Sequence, residues 1–277
     1  MNTNLRIEAI TPIFSYGTGR EQPEIRPSSI RGQLRWWLET LGHSKEDIDA
    51  IFGTIAGNSG EASKVIVRVA DIEATTGESR LNAHKRNWSP EPALVPGAQF
   101  TLSISDRRSG LDSAQEQTLQ KALDAWLTLG TLGRRATRGS CSVQSADAKE
   151  TESSWKQRTA ELLEGTGCQL ILGGTAYARE EDARKVICDT LAPEAFGRHD
   201  PLGYAKGQNR KSSRLRMRVQ RFADADRNRP YRISALWLGG EGEPPLPSVL
   251  DTLANGGRSG QPKRIGEELQ AGEVVVA

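Results

Sequence analysis

The stretch from Ser113 to Leu129 places Leu119, Leu123, Trp126 and Leu127 on one helical face, with Asp112 and Ser113 ahead of it as capping residues. It runs without a break into Gly130-Thr131-Leu132-Gly133-Arg134-Arg135-Ala136-Thr137-Arg138-Gly139-Ser140, a glycine-punctuated basic loop. A helix that empties into such a loop fixes the order of what surrounds it. Upstream, Leu5 to Ile13 reads as a strand ending at Pro12 and a turn at Gly17 and Gly19. Arg26-Pro27-Ser28-Ser29 then suits a helix start, and Ile30, Leu34, Trp37, Leu38 and Leu41 recur at helical spacing until Gly42. A short helix around Glu46 to Phe52 follows, then strands at Lys64 to Ile72 and Ala98 to Ser105, and a short strand at Ser140 to Gln144 after the basic loop. Strand, helix, strand, strand, helix, strand is the split βαβ order of a ferredoxin-like module, so the fold class is α+β with antiparallel sheets and long loops.

At 277 residues the chain has room for two modules of this size. The polar segment Ala146 to Ser154 reads as a linker, which divides the chain into 1–148 and 149–277. The second part offers a helix at Trp155 to Glu164, a strand at Leu170 to Leu172 and a helix at Ala183 to Leu191. The glycine- and proline-rich tail from Gly239 to Gln261 promises little beyond a helical turn near Ser248 to Leu253, and no short-period repeat is visible. Cys141, Cys168 and Cys188 form no CxxC pair and the histidines no HxxxH or HExxH arrangement, so neither a disulfide framework nor a zinc site is signalled. Mean hydropathy is -0.54. No apolar run approaches the roughly 20 residues that span a bilayer, and Met1 to Glu8 lacks the apolar core of a signal peptide, so the reading is a cytoplasmic protein with no membrane partner.

Net charge is +2, from 37 basic and 35 acidic residues, and this balance hides a strong local asymmetry. Three separated segments combine arginine with glycine or an aromatic residue: Arg26 to Trp37, Gly130 to Gly139, and Tyr204 to Arg221. Glycine lets main-chain N–H groups approach phosphate oxygens, a helix N-terminus favours negative charge, and guanidinium forks make charge-assisted hydrogen bonds. Together they point to a protein that follows a nucleic-acid strand by its phosphates. Each segment also has a plain structural reading. Trp37 shares the face of Leu34, Leu38 and Leu41 and reads as core, whereas Trp36 lies off that face beside Arg35; Ser28 and Ser29 serve equally as helix caps. Arg134, Arg135 and Arg138 also fit a solvated turn. A strand in which Arg214, Arg216 and Arg218 alternate with Leu215, Met217 and Val219 also fits an exposed sheet face.

Ile10-Thr11-Pro12-Ile13-Phe14, then Ile25-Arg26-Pro27-Ser28-Ser29-Ile30-Arg31-Gly32-Gln33-Leu34-Arg35-Trp36-Trp37, then Ile51-Phe52-Gly53, resemble the signature of the first, head-capping RAMP subunit of Cmr-type, type III-B CRISPR effectors. Leu132 to Gly139 is similar to the glycine-rich loop of the same superfamily. The motifs cover roughly residues 5 to 53 and 119 to 143. The resemblance implies two ferredoxin-like, RRM/RAMP-type modules in an RNA-binding structural subunit of an antiviral ribonucleoprotein. It would contact guide RNA (crRNA) and target RNA and other RAMP subunits, without catalysis, metal or cofactor. By position, Arg26, Ser28, Arg31, Arg35 and Trp36 would line the RNA surface, and Gly133, Arg134, Arg135, Arg138 and Gly139 would cradle phosphate, with Arg31, Arg35 and Arg134 meeting at one groove. The basic block adds Arg210, Lys211 and Arg214. The alternatives are a metal-independent RAMP endoribonuclease that uses His43, Tyr16, His84 or His199 as acid and base, and a plain RNA-binding protein outside CRISPR.

Overall fold

The computed structural model describes residues 1–19, 21–56, 59–83, 89–107, 110–189, 201–206, 209–240, 244–255 and 263–276; within 54–61 and 204–211 it describes the side chains of 54, 60, 61 and 211 only. The chain divides into two compact units. The first comprises Met1–Ser79, Glu91–Arg134 and Cys141–Lys149, and the second Arg80–Pro90, Arg135–Ser140 and Glu150–Ala277. The basic loop is therefore shared, with Gly133 and Arg134 in the first unit and Arg135, Arg138 and Gly139 in the second.

The first unit contains β1 (Asn2–Ala9), α1 (Pro27–Thr40), α2 (Lys45–Phe52), the hairpin β2 (Thr54–Ala56) and β3 (Ser59–Glu61), β4 (Val65–Glu73), β5 (Thr76–Ser79), β6 (Glu91–Leu94), β7 (Gln99–Asp106), α3 (Ser113–Leu129) and β8 (Val143–Ser145). Its main sheet is antiparallel in the order β4-β7-β1-β8. This is the ferredoxin-like arrangement, in which the first and third strands pair at the centre. Alternation along β1 and β7 sends Ile7, Phe100, Leu102 and Ile104 into the core, where α1 contributes Ile30, Leu34, Trp37 and Leu38, and α3 contributes Leu119, Leu123 and Trp126. Pro27 opens α1, and the helix ends before Gly42, as the spacing requires. Reciprocal capping boxes, Ser44 with Asp47 and Asp112 with Gln115, start α2 and α3.

The second unit contains α4 (Glu152–Leu163), β9 (Gln169–Leu172), α5 (Glu180–Cys188), the hairpin β10 (Tyr204–Lys206) and β11 (Asn209–Lys211), β12 (Leu215–Arg221), β13 (Tyr231–Trp237), α6 (Leu246–Ala254), α7 (Arg264–Gln270) and β14 (Glu273–Val276). Its sheet order, β12-β13-β9-β14, repeats that of the first unit. The segment read as a linker already contains the start of α4 at Glu152, capped by Thr151. Neither α7 nor β14 is announced by a sequence pattern, yet β14 supplies the fourth strand.

The structure overturns one expectation for β12. Arg216 and Arg218 do alternate with apolar residues, but the polar side of the strand is covered as well. Arg218 is 3% exposed, Gln220 on the same side donates to Ser234 Oγ at 3.0 Å, and the Glu150 carboxylate acts on Arg218. Burial pushes Arg216 down to about 10 and Arg218 to about 9, so this stretch is an internal polar layer instead of an exposed cationic face.

Burial also pushes the Glu180 carboxyl, at the start of α5, up to about 7. The folded unit then binds more protons than the unfolded chain between roughly pH 4.3 and 7, so stability falls as pH rises through that window. Thermal unfolding from pH 5 to 7.5 should show this decline, and Glu180→Gln should flatten it.

Candidate nucleic-acid interface

Helix α2 ends in carbonyl groups with no partner inside the helix, and arginines of α1 supply one. Arg31 donates to the Phe52 carbonyl, and Arg35 donates through Nη1 to the Gly53 carbonyl at 3.1 Å. Spaced one turn apart, the two guanidinium groups stand 5.7 and 5.8 Å from the centre of the Phe52 ring. Arg35 also pairs with Asp49 at 2.7 Å, and Lys45 shares that carboxylate. Hydrogen bonds from Lys45 and Arg35 hold Asp49 below the usual carboxylate range, whereas burial, Arg35 and Arg107 together lower Arg31. Arg107 is the residue that sequence reasoning missed. Its only sequence signal is the pair Arg107-Arg108 at the end of β7, outside every motif.

Arg26, the N-cap of α1, makes no side-chain cap, and it stands exposed beside exposed Ser28. Arg26 Nη1 donates to the Tyr16 carbonyl at 3.4 Å and its Nε lies 3.4 Å from Glu24. Arg134 reaches the same tyrosine: its guanidinium stands 5.9 Å from the ring centre, and Nη1 pairs with Glu91 at 2.6 Å. Trp37 is core, 1% exposed, and half-buried Trp36 meets it edge-on at 4.9 Å. The structure therefore gathers Arg31 and Arg35 at Phe52, and Arg26 and Arg134 at Tyr16. Of the three arginines expected at one groove, Arg31 and Arg35 thus contact Phe52 and Arg134 contacts Tyr16, all on the first unit.

In the glycine-rich loop several amides are committed inside the protein. Leu132 donates to Cys141 O at 2.8 Å, Arg134 to Phe14 O at 2.9 Å, and Cys141 to Pro12 O at 3.0 Å. A side chain at Gly133 would place Cβ 2.7 Å from Phe14 O and 3.1 Å from the Cys141 sulfur, so close packing demands glycine there. In the second unit Arg138 donates its amide to Arg135 O at 2.8 Å and Gly139 to Met217 O at 2.9 Å, which lays the loop along β12. Gly133 thus packs against Phe14 in the first unit, and Gly139 gives its amide to β12 in the second, so that amide is not open to phosphate. Lys211 and Arg214 are half-buried next to the β10–β11 hairpin, and the side chain of Arg210 lies outside the described residues. Of the residues weighed for acid–base chemistry, His84 and His199 lie outside them too, while Tyr16 donates its hydroxyl to Pro92 O at 2.5 Å and burial raises its pKa.

One construction occurs twice. Gly53 and Gly203 have φ of 72° and 74°, and a Cβ would lie 2.3 Å from Glu61 O at the first and 2.4 Å from Lys211 O at the second. Lys64 donates its amide to Ile51 O at 3.0 Å, and Arg214 does so to Pro201 O at 2.7 Å. Ser63 Oγ donates to Val65 O and Ser213 Oγ to Leu215 O. Each of these second-unit residues stands 150 positions after its counterpart. The clip recurs as well: Arg138 donates to Leu202 O at 2.8 Å, as Arg31 does to Phe52 O.

The profile of the RAMP superfamily matches residues 6–142, which carry both arginine clusters of the first unit. Over those residues the chain is similar to the RAMP superfamily. It is 26% identical over 173 residues to the CRISPR system Cmr subunit Cmr1-2 of Pyrococcus furiosus, covering 50% of this chain and 91% of that one. It is also 26% identical over 147 residues to Cmr1-1 of the same organism, covering 45% and 41%. The crystal structure of apo Cmr1 from Pyrococcus furiosus superposes with a TM-score of 0.58 at 16% identity, over 88% of this chain and 90% of that one. A chain of a type III-B Cmr-beta complex bound to cognate target RNA gives 0.59 at 11%, over 96% and 98%. These superpositions bear out a RAMP fold with ferredoxin-like modules.

Gly53→Ala and Gly203→Ala each set a Cβ against a backbone carbonyl at positive φ, and should each cost about 2–4 kcal/mol of stability in denaturant titrations. Gly42→Ala, with open space around it, should cost about 1 kcal/mol.

Proposed function

We propose that this protein is a non-catalytic, RNA-binding subunit of a cytoplasmic type III-B CRISPR effector, similar to Cmr1, which contacts guide and target RNA beside other RAMP subunits. The observation that carries the proposal is the cationic surplus on α1 of a RAMP module: Arg31 and Arg35 share one ring, and of the two only Arg35 has a carboxylate partner among the described residues, Asp49. Arg26, Ser28 and Trp36 extend the same helix toward solvent. Arg134 contributes less charge than its motif suggests, because Glu91 neutralises it. Arg135, Arg138, Arg210, Lys211 and Arg214 form the contribution of the second unit, in which Arg138 also holds the base of the β10–β11 hairpin through Leu202. The names of the relatives supply the assembly: Cmr subunits, and a Cmr complex bound to cognate target RNA.

Guanidinium contacts to phosphate carry no base information, so the purified chain should bind single-stranded RNA with little sequence preference and steep salt dependence. Each contact on a single strand contributes about 0.7 to the slope of log K against log salt. Arg35→Ala combined with Arg26→Ala should flatten that slope by about 1.4, whereas Arg134→Ala with Arg135→Ala should change it less. Equal slopes for wild type and the α1 variant would remove α1 from the interface.

A binding role rather than an endoribonuclease is favoured by Tyr16, whose proton is engaged by Pro92 O and whose pKa is raised away from neutral. Incubation with repeat RNA in chelator should leave the RNA intact; cleavage lost on His43→Ala, His84→Ala or His199→Ala would establish the endoribonuclease instead.

A further inference from the structure

We infer that Lys64 and Arg107, which lie outside every motif, join Arg31 and Arg35 in one seat for a backbone phosphate beside the Phe52 ring; this rests on the RNA-binding reading above and specifies where on the first unit it happens. The last turn of α2 organises the seat. Three successive carbonyls each receive a donor from a cationic residue: Ile51 from the Lys64 amide at 3.0 Å, Phe52 from Arg31, and Gly53 from Arg35 at 3.1 Å. The Arg107 amide then donates to Lys64 O at 2.7 Å, which ties the end of β7 to the start of β4 next to the same turn. One face of α1, the start of β4 and the end of β7 thus bring four cationic residues to the end of α2.

Their plain structural role, satisfying the end of α2, uses only a few of the available donors. A guanidinium carries five N–H groups, of which Arg31 commits one to a protein oxygen among the described residues. Lys64 Nζ bonds a neutral acceptor, Gln115 Oε1, at 3.0 Å. Arg107 is exposed and has no ion pair among the described residues. Three carboxylates of these elements already have cationic partners: Asp49 is shared by Lys45 and Arg35, and Asp106 and Glu116 face the Met1 amine. Like charges at close range repel one another, and Arg31 registers that repulsion from both Arg35 and Arg107. An anion with several acceptor oxygens relieves it, and guanidinium forks match the geometry of phosphate. By contrast Arg26 and Arg134 each have a carboxylate partner, Glu24 and Glu91.

The test is a salt titration of fluorescent oligouridine on the full chain with Lys64→Ala, Arg107→Ala, their combination, and Lys121→Ala, an exposed cation on α3, as control. Each single seat variant should flatten the log–log slope by about 0.7 and weaken binding up to tenfold, and their combination should flatten it by about 1.4, while Lys121→Ala leaves both unchanged. Arg107→Lys should recover most of the loss, which separates charge from folding. If wild type binds and the Arg35 variant is impaired, but Lys64→Ala and Arg107→Ala match wild type, the seat is wrong and the RNA-binding reading stands. If wild type binds no RNA, that reading fails, and the seat is decided by millimolar inorganic phosphate. A rise in unfolding temperature that Arg107→Ala abolishes upholds it, and an equal response of the two proteins overturns it.

Discussion

The end of α2 is the point on which the first unit turns. A helix that stops inside a protein leaves carbonyls needing donors, and here the stop is enforced by Gly53 at positive φ, packed so closely on the strand after it that no side chain fits. Arg31 and Arg35 meet that demand from α1, and their reach requires α1 to lie with its apolar stripe on the sheet and its arginine flank toward Phe52. The same contacts that finish α2 therefore fix α1 against it and concentrate positive charge at the junction. Helix termination and local charge are two results of one arrangement.

The basic loop after α3 obeys a different logic. Its arginines invite a reading in which glycines free the main chain for a ligand, yet the amides of Leu132, Arg134, Gly139 and Cys141 all find carbonyls within the protein. Glycine is needed there because neighbours press on the main chain: Gly133 lies against Phe14 O, and a Cβ at Gly139 would meet the Ile187 side chain.

The helices and central strands were legible because each carries a periodic apolar face with a cap or a glycine at its end, and α3 is placed residue for residue. The RAMP motifs were legible because they join rare residues in fixed spacing. What stayed hidden depends on distance in sequence. The composition of β14 is strand-like, but nothing local says that it pairs with β9. Arg216 and Arg218 look solvent-facing until the polar layer of Gln220, Ser234 and Glu150 is seen around them. Arg107 gains meaning only when β7 and β4 end beside α2. Nor does any motif announce that the rings of Phe52 and Tyr16 are where Arg31, Arg35 and Arg134 make contact.

The paired glycine turns at Gly53 and Gly203 have a consequence for how such a chain can diversify. The hairpin from Thr54 to Glu61 has one ionisable side chain, Glu61, whereas that from Tyr204 to Lys211 carries Lys206, Arg210 and Lys211 on an equivalent scaffold. A symmetric dimer of single modules would have to alter both hairpins with every substitution. Covalent tandem copies escape that bond, so one arm was free to become cationic while its twin stayed nearly neutral.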